Sequence, residues 1–308
     1  MDKKDAAKAA AEENSNLQSQ GTASQKSVSV NIKSLIEAGA HFGHQTTKWN
    51  PKMLPYIYGE RNGVHIINLD ISVKAWEKAK KYIYDTIASG GNILFVGTKQ
   101  QAREVVKSEA LRSDSFFVTS RWLGGTLSNF ETIKRSIERM RKLEDLLLKA
   151  DDENSDIELN KKEKLMIRRQ LEKLEANLGG IRNMRKTPEI IFVIDVNKED
   201  IAVAEARRLH IPVVALVDTN SDPDMITYAI PSNDDASRTI RLFVTAIADT
   251  VIQARAAYKA RVPSSESREG SQDKTANGSK SKRSVVEIAE GEKAKEEGIS
   301  ANQEAVAS

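Results

Sequence analysis

Residues 40–70 read AHFGHQTTKWNPKMLPYIYGERNGVHIINLD and bring His41, His44, Lys48, Trp49, Lys52, Tyr56, Tyr58, Arg61 and His65 into one short segment. The Asn62-Gly63 pair and the scattered prolines and glycines favour turns and a hairpin over a helix. Rings and histidines are usually core residues, yet here they alternate with cations. Cations meet phosphates and rings stack on bases, so the pattern suits a polyanion carrying flat bases. A catalytic loop could use the same residue types, and the other motifs must decide between the two.

Four of those motifs could carry chemistry. GTK at 97–99 follows an apolar run and precedes a helical stretch. Doubly wound folds bind ligands at such strand ends, and helix N-termini attract phosphate. Neither GxGxxG nor GxxxxGK[ST] is present there, so a free nucleotide would lack its glycine cradle. A contact to an RNA phosphate and a plain strand-to-helix turn are the readings left. The acids Asp195, Asp218, Asp222 and Asp224 fall at strand ends, where carboxylates can hold a metal or accept a phosphoryl group. Turn chemistry is the simpler account, because Asp and Asn bond their own backbone.

The third motif, His41-Phe42-Gly43-His44, has the spacing of a metal-binding pair. Its glycine argues against a helix, and the chain has no cysteine to complete a zinc site. His44 with Asp195 or Asp218 is a chemically allowed mixed site, against packing within a loop as the plainer reading. No catalytic residue, metal ligand or cofactor is assigned. The fourth motif, SRWLGGTLSN at 120–129, holds serines without the GxSxG setting of a nucleophile elbow. Its paired glycines and Trp122 fit a tight joint between two parts of the fold.

These residues need a frame. The chain has 308 residues, enough for one large domain or two small ones. Hydrophobic residues make up 39% and charged residues 30%, a wet composition that points to highly solvated parts. With 47 Lys and Arg against 44 Asp and Glu, any RNA-binding surface has to come from local charge separation. The absence of cysteine excludes disulfides and thiol catalysis and fits a reducing compartment. No apolar run is long enough to span a bilayer, and the N-terminus lacks the apolar core of a secretory signal. A cytoplasmic protein is expected.

Residues 1–28 and 263–308 are rich in Ser, Lys, Glu, Ala and Gly and contain no aromatic residue, so both are expected to be disordered tails. Between them runs an α/β alternation. A short helix over 30–38 ends at Gly39. Strands over 56–58 and 64–67 flank the Asn62-Gly63 turn. Asp70 is placed as the cap of a helix reaching Ala88. Strands follow at 92–97, 116–119, 189–195, 213–218 and 228–231, with helices at 100–111, 200–209 and 235–257. Continuous apolar strands alternating with helices mean a parallel sheet covered on both faces.

The alternation is interrupted at 129–179. Ser128 and Glu131 have capping-box spacing, with Ser128 as the cap. Ile133, Ile137, Met140, Leu143 and Leu147 then hold one apolar face, and Ile167, Leu171, Leu174 and Leu178 hold another, across a polar turn at 151–156. Two such helices make an antiparallel hairpin whose outer faces are charged. Its cations, Lys134, Arg135, Arg139, Arg141, Lys142, Lys161, Lys162, Lys164, Arg168 and Arg169 among them, are mixed with glutamates. Such a face is ordinarily just solvated, and docking on RNA or protein is the sharper alternative.

Seven blocks, AGAHFGHQTTKWNPKM, GVHIINLD, ILFVGTK, RWLGGTLSNF, LEKLEANLGGI, FVIDVNKE and IPVVALVDTNSDPD, resemble in this order those of the bacterial small-subunit ribosomal protein S2 family. The resemblance runs from about residue 34 to 255. It implies a three-layer, flavodoxin-like (Rossmann-like) α/β sandwich with an inserted antiparallel coiled-coil α-hairpin and an N-terminal β-hairpin. The sandwich would take 29–128 and 180–260, and the hairpin 129–179. It further implies a structural constituent of the small ribosomal subunit without enzyme activity, cofactor or small-molecule substrate. Its expected partners are small-subunit rRNA and neighbouring ribosomal proteins, with S1 among them, which links it to mRNA capture. Lys48, Lys52, Arg61, Lys99, Arg103 and Arg121 are the expected phosphate contacts, and Trp49 and Tyr56 the candidates for stacking or partner contact.

Overall fold

The computed structural model describes residues 29–151 and 160–261. The two tails and the polar turn expected over 151–156 lie almost wholly outside those residues. The first described element is α1 (Ile32–Ala38). Asn31 Oδ1 accepts from the Ser34 amide and Ser34 Oγ accepts from the Asn31 amide, a reciprocal cap that satisfies two amides at the helix start. Gly39 ends the helix in the left-handed region at φ 81°, where a Cβ would be strained.

An antiparallel sheet follows. Its strands are β1 (Phe42–Gln45), β2 (Ile57–Arg61) and β3 (Val64–Ile67), in the order β1–β3–β2. Asn62 at φ 53° and Gly63 at φ 74° make the two-residue turn between Arg61 and Val64. The expected hairpin is therefore present with its first arm moved to Ile57–Arg61. Tyr56 belongs instead to the turn before it, and β1 adds a third strand.

The helix α2 (Leu69–Ala88) is capped by Asn68, whose Oδ1 accepts from the Asp70 amide. Asp70 thus sits in the first turn rather than at the cap, where its charge still opposes the positive helix end. Next come β4 (Ile93–Val96), α3 (Gln100–Arg112) and β5 (Phe116–Val118). Beyond the interruption lie β6 (Ile190–Ile194), β7 (Val213–Val217) and β8 (Tyr228–Pro231). Among the described residues β4 to β8 form one parallel sheet in the order β5–β4–β6–β7–β8.

Alternate residues of these strands build two cores. Ile93, Phe95, Phe192, Ile194, Val214, Leu216 and Ile230 pack with Trp76 and Ile83 of α2, Val106 of α3, and Phe243 and Ile247 of α7 (Ser237–Arg261). The opposite faces, through Leu94, Val96, Ile191, Val193, Val213 and Ala215, meet Ala202, Val203 and Ala206 of α6 (Asp200–Arg208). Each strand is covered on both sides, which is why it is apolar throughout.

The interruption consists of α4 (Phe130–Asp151) and α5 (Lys161–Leu178). Phe130, Ile133, Ile137, Met140 and Leu178 are buried in the second core beside Ile181. The lower part of the pair is thus a wall of the α/β body. Ser128 does not cap α4: its hydroxyl donates to Glu205 at 3.1 Å, and Asn129 leads the helix. At Gly180 the chain crosses β5 so closely that a Cβ would lie 2.1 Å from the Phe117 carbonyl oxygen.

Candidate functional site

The carboxyl ends of the parallel strands gather most of the buried charge. Lys99 follows β4, Asp195 follows β6, Asp218 follows β7, and Asp234 and Asp235 follow β8. The Lys99 ammonium lies 2.8 Å from Asp234, 2.6 Å from Asp235 and 3.3 Å from Asp195. His44 reaches in from β1, with Nδ1 3.1 Å from Asp218 and Nε2 3.4 Å from Asp235.

Gly43 makes that approach possible. A Cβ there would fall 2.6 Å from the Thr219 side chain, and the neighbouring His44 amide donates to Thr219 Oγ1 at 2.8 Å. The glycine of HFGH therefore lets β1 lie against the loop after β7.

Charge balance in this cluster is set by burial. Burial, with Asp218 and Asp195 nearby, pushes the Asp234 carboxyl up to about 7 against the pull of Lys99. Burial would pull the Lys99 ammonium down, but Asp234, Asp235 and Asp195 outweigh it and hold its pKa above the ordinary value. The hydrogen bond to Asp218 raises the His44 imidazole, against a smaller effect of burial. Asp234 Oδ2 is buried without a hydrogen-bond partner. His44, Asp218, Asp234 and Asp235 each offer one ligand atom within 4.8 Å of the others. One imidazole nitrogen with three carboxylate oxygens is a donor set able to hold a borderline divalent cation. Of the mixed site foreseen around His44, Asp218 belongs to this set and Asp195 does not.

The RWLGGTLSN joint is organised by a residue that sequence reasoning missed. Glu205 of α6 accepts from the amides of Gly125 (2.6 Å), Leu127 (2.9 Å) and Ser128 (3.0 Å) and from Trp122 Nε1 (3.2 Å). Burial alone would raise its pKa; the donors from Ser128, Gly125, Leu127 and Trp122 more than compensate and hold it below the usual carboxylate value. The only sign in the sequence is an acid placed between Val203 and Ala206 on the apolar face of α6.

The expected phosphate contacts divide into two groups. Lys99 is 13% exposed and held by three carboxylates. Lys52 is clamped between Asp222 (2.7 Å) and Asp224 (2.8 Å), which also explains the acids of DTNSDPD. Lys48, Arg61, Arg103 and Arg121 are exposed and form no ion pair among the described residues. Trp49 stands half-buried, its ring 5.1 Å from that of His65, whose two nitrogens are buried without partners. Tyr56 is half-buried against the second core. Both rings serve packing, whereas Tyr58 is 78% exposed.

Comparison with known proteins agrees with this architecture. The family described as Ribosomal protein S2 matches residues 35–254, from α1 almost to the end of α7. A small ribosomal subunit protein uS2 of Lawsonia intracellularis is 52% identical over 230 residues, covering 75% of this chain and 78% of the relative. That of Desulfovibrio desulfuricans is 53% identical over 230 residues, 75% of this chain and 88% of its own. That of Nitratidesulfovibrio vulgaris strain DP4 is 52% identical over 232 residues, 75% and 90% respectively. The match runs through both halves of the sandwich and the helices inserted between them, and the chain belongs to the ribosomal protein S2 family.

Proposed function

We propose that the protein is a structural constituent of the small ribosomal subunit that binds its rRNA and touches neighbouring ribosomal proteins. Family membership over residues 35–254 is the observation that carries this reading. Lys48, Arg61, Arg103 and Arg121 supply the phosphate contacts, because their charges are exposed and not committed to carboxylates. Lys52 and Lys99 leave that list for the opposite reason. S1 is the expected protein partner, through which the chain would support mRNA capture. The work is structural, needs no cofactor or small-molecule substrate, and takes place in the cytoplasm. Among the described residues no helix is long and apolar enough to cross a membrane.

Co-sedimentation tests the reading. Full-length protein should pellet with purified small subunits and remain bound through a moderate-salt wash. S1 should be retained less well by subunits lacking this protein. Protein left wholly in the supernatant would refute a place in the particle.

A further inference from the structure

The parallel sheet reverses its winding between β4 and β6. The chain leaves β4 through α3 on one face and leaves β6 through α6 on the other. Open α/β sheets bind ligands in the crevice at such a point. Here the crevice is a cavity of about 450 Å³, large enough for one nucleotide, formed where the chain leaves β4, β5 and β6.

Its wall is positively charged. Arg103 Nε and Lys198 Nζ converge on the same acceptor, the Thr98 carbonyl, at 2.9 and 3.4 Å. Arg121 adds a third cation. None of the three forms an ion pair among the described residues. The one acid present, Glu199, is buried and turned to Thr98, accepting from its amide at 3.1 Å and its hydroxyl at 2.5 Å. Two cations drawn to one carbonyl repel each other until an anion lies between them. Leu123 and Ile201, the latter 52% exposed, form an apolar side against which a base or ribose could rest.

We propose that this cavity receives a single looped-out nucleotide of RNA, with its phosphate between Arg103, Lys198 and Arg121 and its nucleoside against Leu123 and Ile201. The proposal rests on the RNA-binding reading above and names one place where that binding occurs. A concave pocket suits an unpaired nucleotide, because duplex phosphates lie on a convex surface. The missing glycine-rich cradle disfavours a free nucleotide, which needs backbone amides around its phosphates.

Gly124 provides a clean test. It lines the cavity, and a Cβ there would meet nothing within 4 Å, so Gly124→Glu adds an acid without a clash. The probe is full-length small-subunit rRNA, read by filter binding and chemical footprinting with the full chain. Gly124→Glu and the double variant Arg103→Gln/Lys198→Gln should each keep the wild-type melting temperature and bind about tenfold more weakly. Each should lose protection of one short unpaired stretch while the remaining footprint persists. Lys48→Gln/Arg61→Gln should weaken binding and leave that stretch protected. Wild-type affinity and footprint in both cavity variants would overturn the proposal while leaving the RNA-binding reading intact. No binding by the wild-type protein would overturn both. A thermal shift of the wild type, but not of Gly124→Glu, with millimolar uridine monophosphate would make the cavity a free-nucleotide site and overturn the RNA assignment.

Discussion

At the scale of single residues, charge in this protein is sorted by burial. Glu205 is 9% exposed and accepts three amides and an indole N–H, so it ties α6 to the loop that enters the helical pair. Its pKa is lowered in the folded protein. A carboxylate of that kind stabilises the fold fully above its unfolded pKa, about 4.3, and loses that contribution as pH falls through its folded value. Glu205→Gln should therefore cost about 1–3 kcal/mol at pH 7, because one acceptor oxygen is replaced by a donor facing donors. Urea denaturation from pH 7 down to pH 3 should show the gap between variant and wild type closing in the acid range. A gap unchanged across that range would refute the role of its charge. The position of Lys99 in GTK predicts a contact to phosphate. Asp234 and Asp235, more than 130 residues away, engage it instead, and nothing local in GTK could announce them.

At the scale of elements, legibility followed burial pattern. β4, β6 and β7 were evident because strands covered on both faces are apolar at every position. The amphipathic faces of α4 and α5 were evident from period alone. β1 was not: FGHQ has no β-branched residue and shows no alternation, and it is a strand because β3 pairs with it. Asn68 caps the helix two residues earlier than the expected Asp70, within the ±2 residues by which helix ends are ordinarily uncertain. The base of the helical pair also proved less detachable than its charged exterior suggested. Removing residues 129–179 would strip Phe130, Ile133, Ile137, Met140 and Leu178 from the second core. Each lost side chain costs about 2–5 kcal/mol, so that deletion should leave the sandwich unfolded. Replacing only residues 148–166 by a short glycine-serine turn should keep a cooperative thermal transition. Circular dichroism melts of both deletions check this, and a stable, cooperative 129–179 deletion would contradict the packing described.

At the scale of the whole molecule, a formal charge of only +3 conceals a separation of function. Carboxylates cluster at the strand ends around Lys99 and His44, and among the described residues Lys48, Arg61, Arg103 and Arg121 stay exposed and form no ion pair. The 40–70 segment illustrates this division. Its Gly43 and His44 hold the small sheet against the strand ends, Trp49 packs on His65 within the segment, and Lys48 and Arg61 face solvent. Binding that depends on such exposed cations releases counterions from the RNA, so it must weaken as salt rises. The most direct measurement is the equilibrium affinity of the full chain for small-subunit rRNA across a series of salt concentrations. The logarithm of the affinity should fall linearly with the logarithm of salt, and Lys48→Gln/Arg61→Gln should flatten the slope by about 2, one unit per lost phosphate contact. A response to salt that is flat in the wild type, or a slope unchanged in the variant, would contradict the assignment of these cations to RNA.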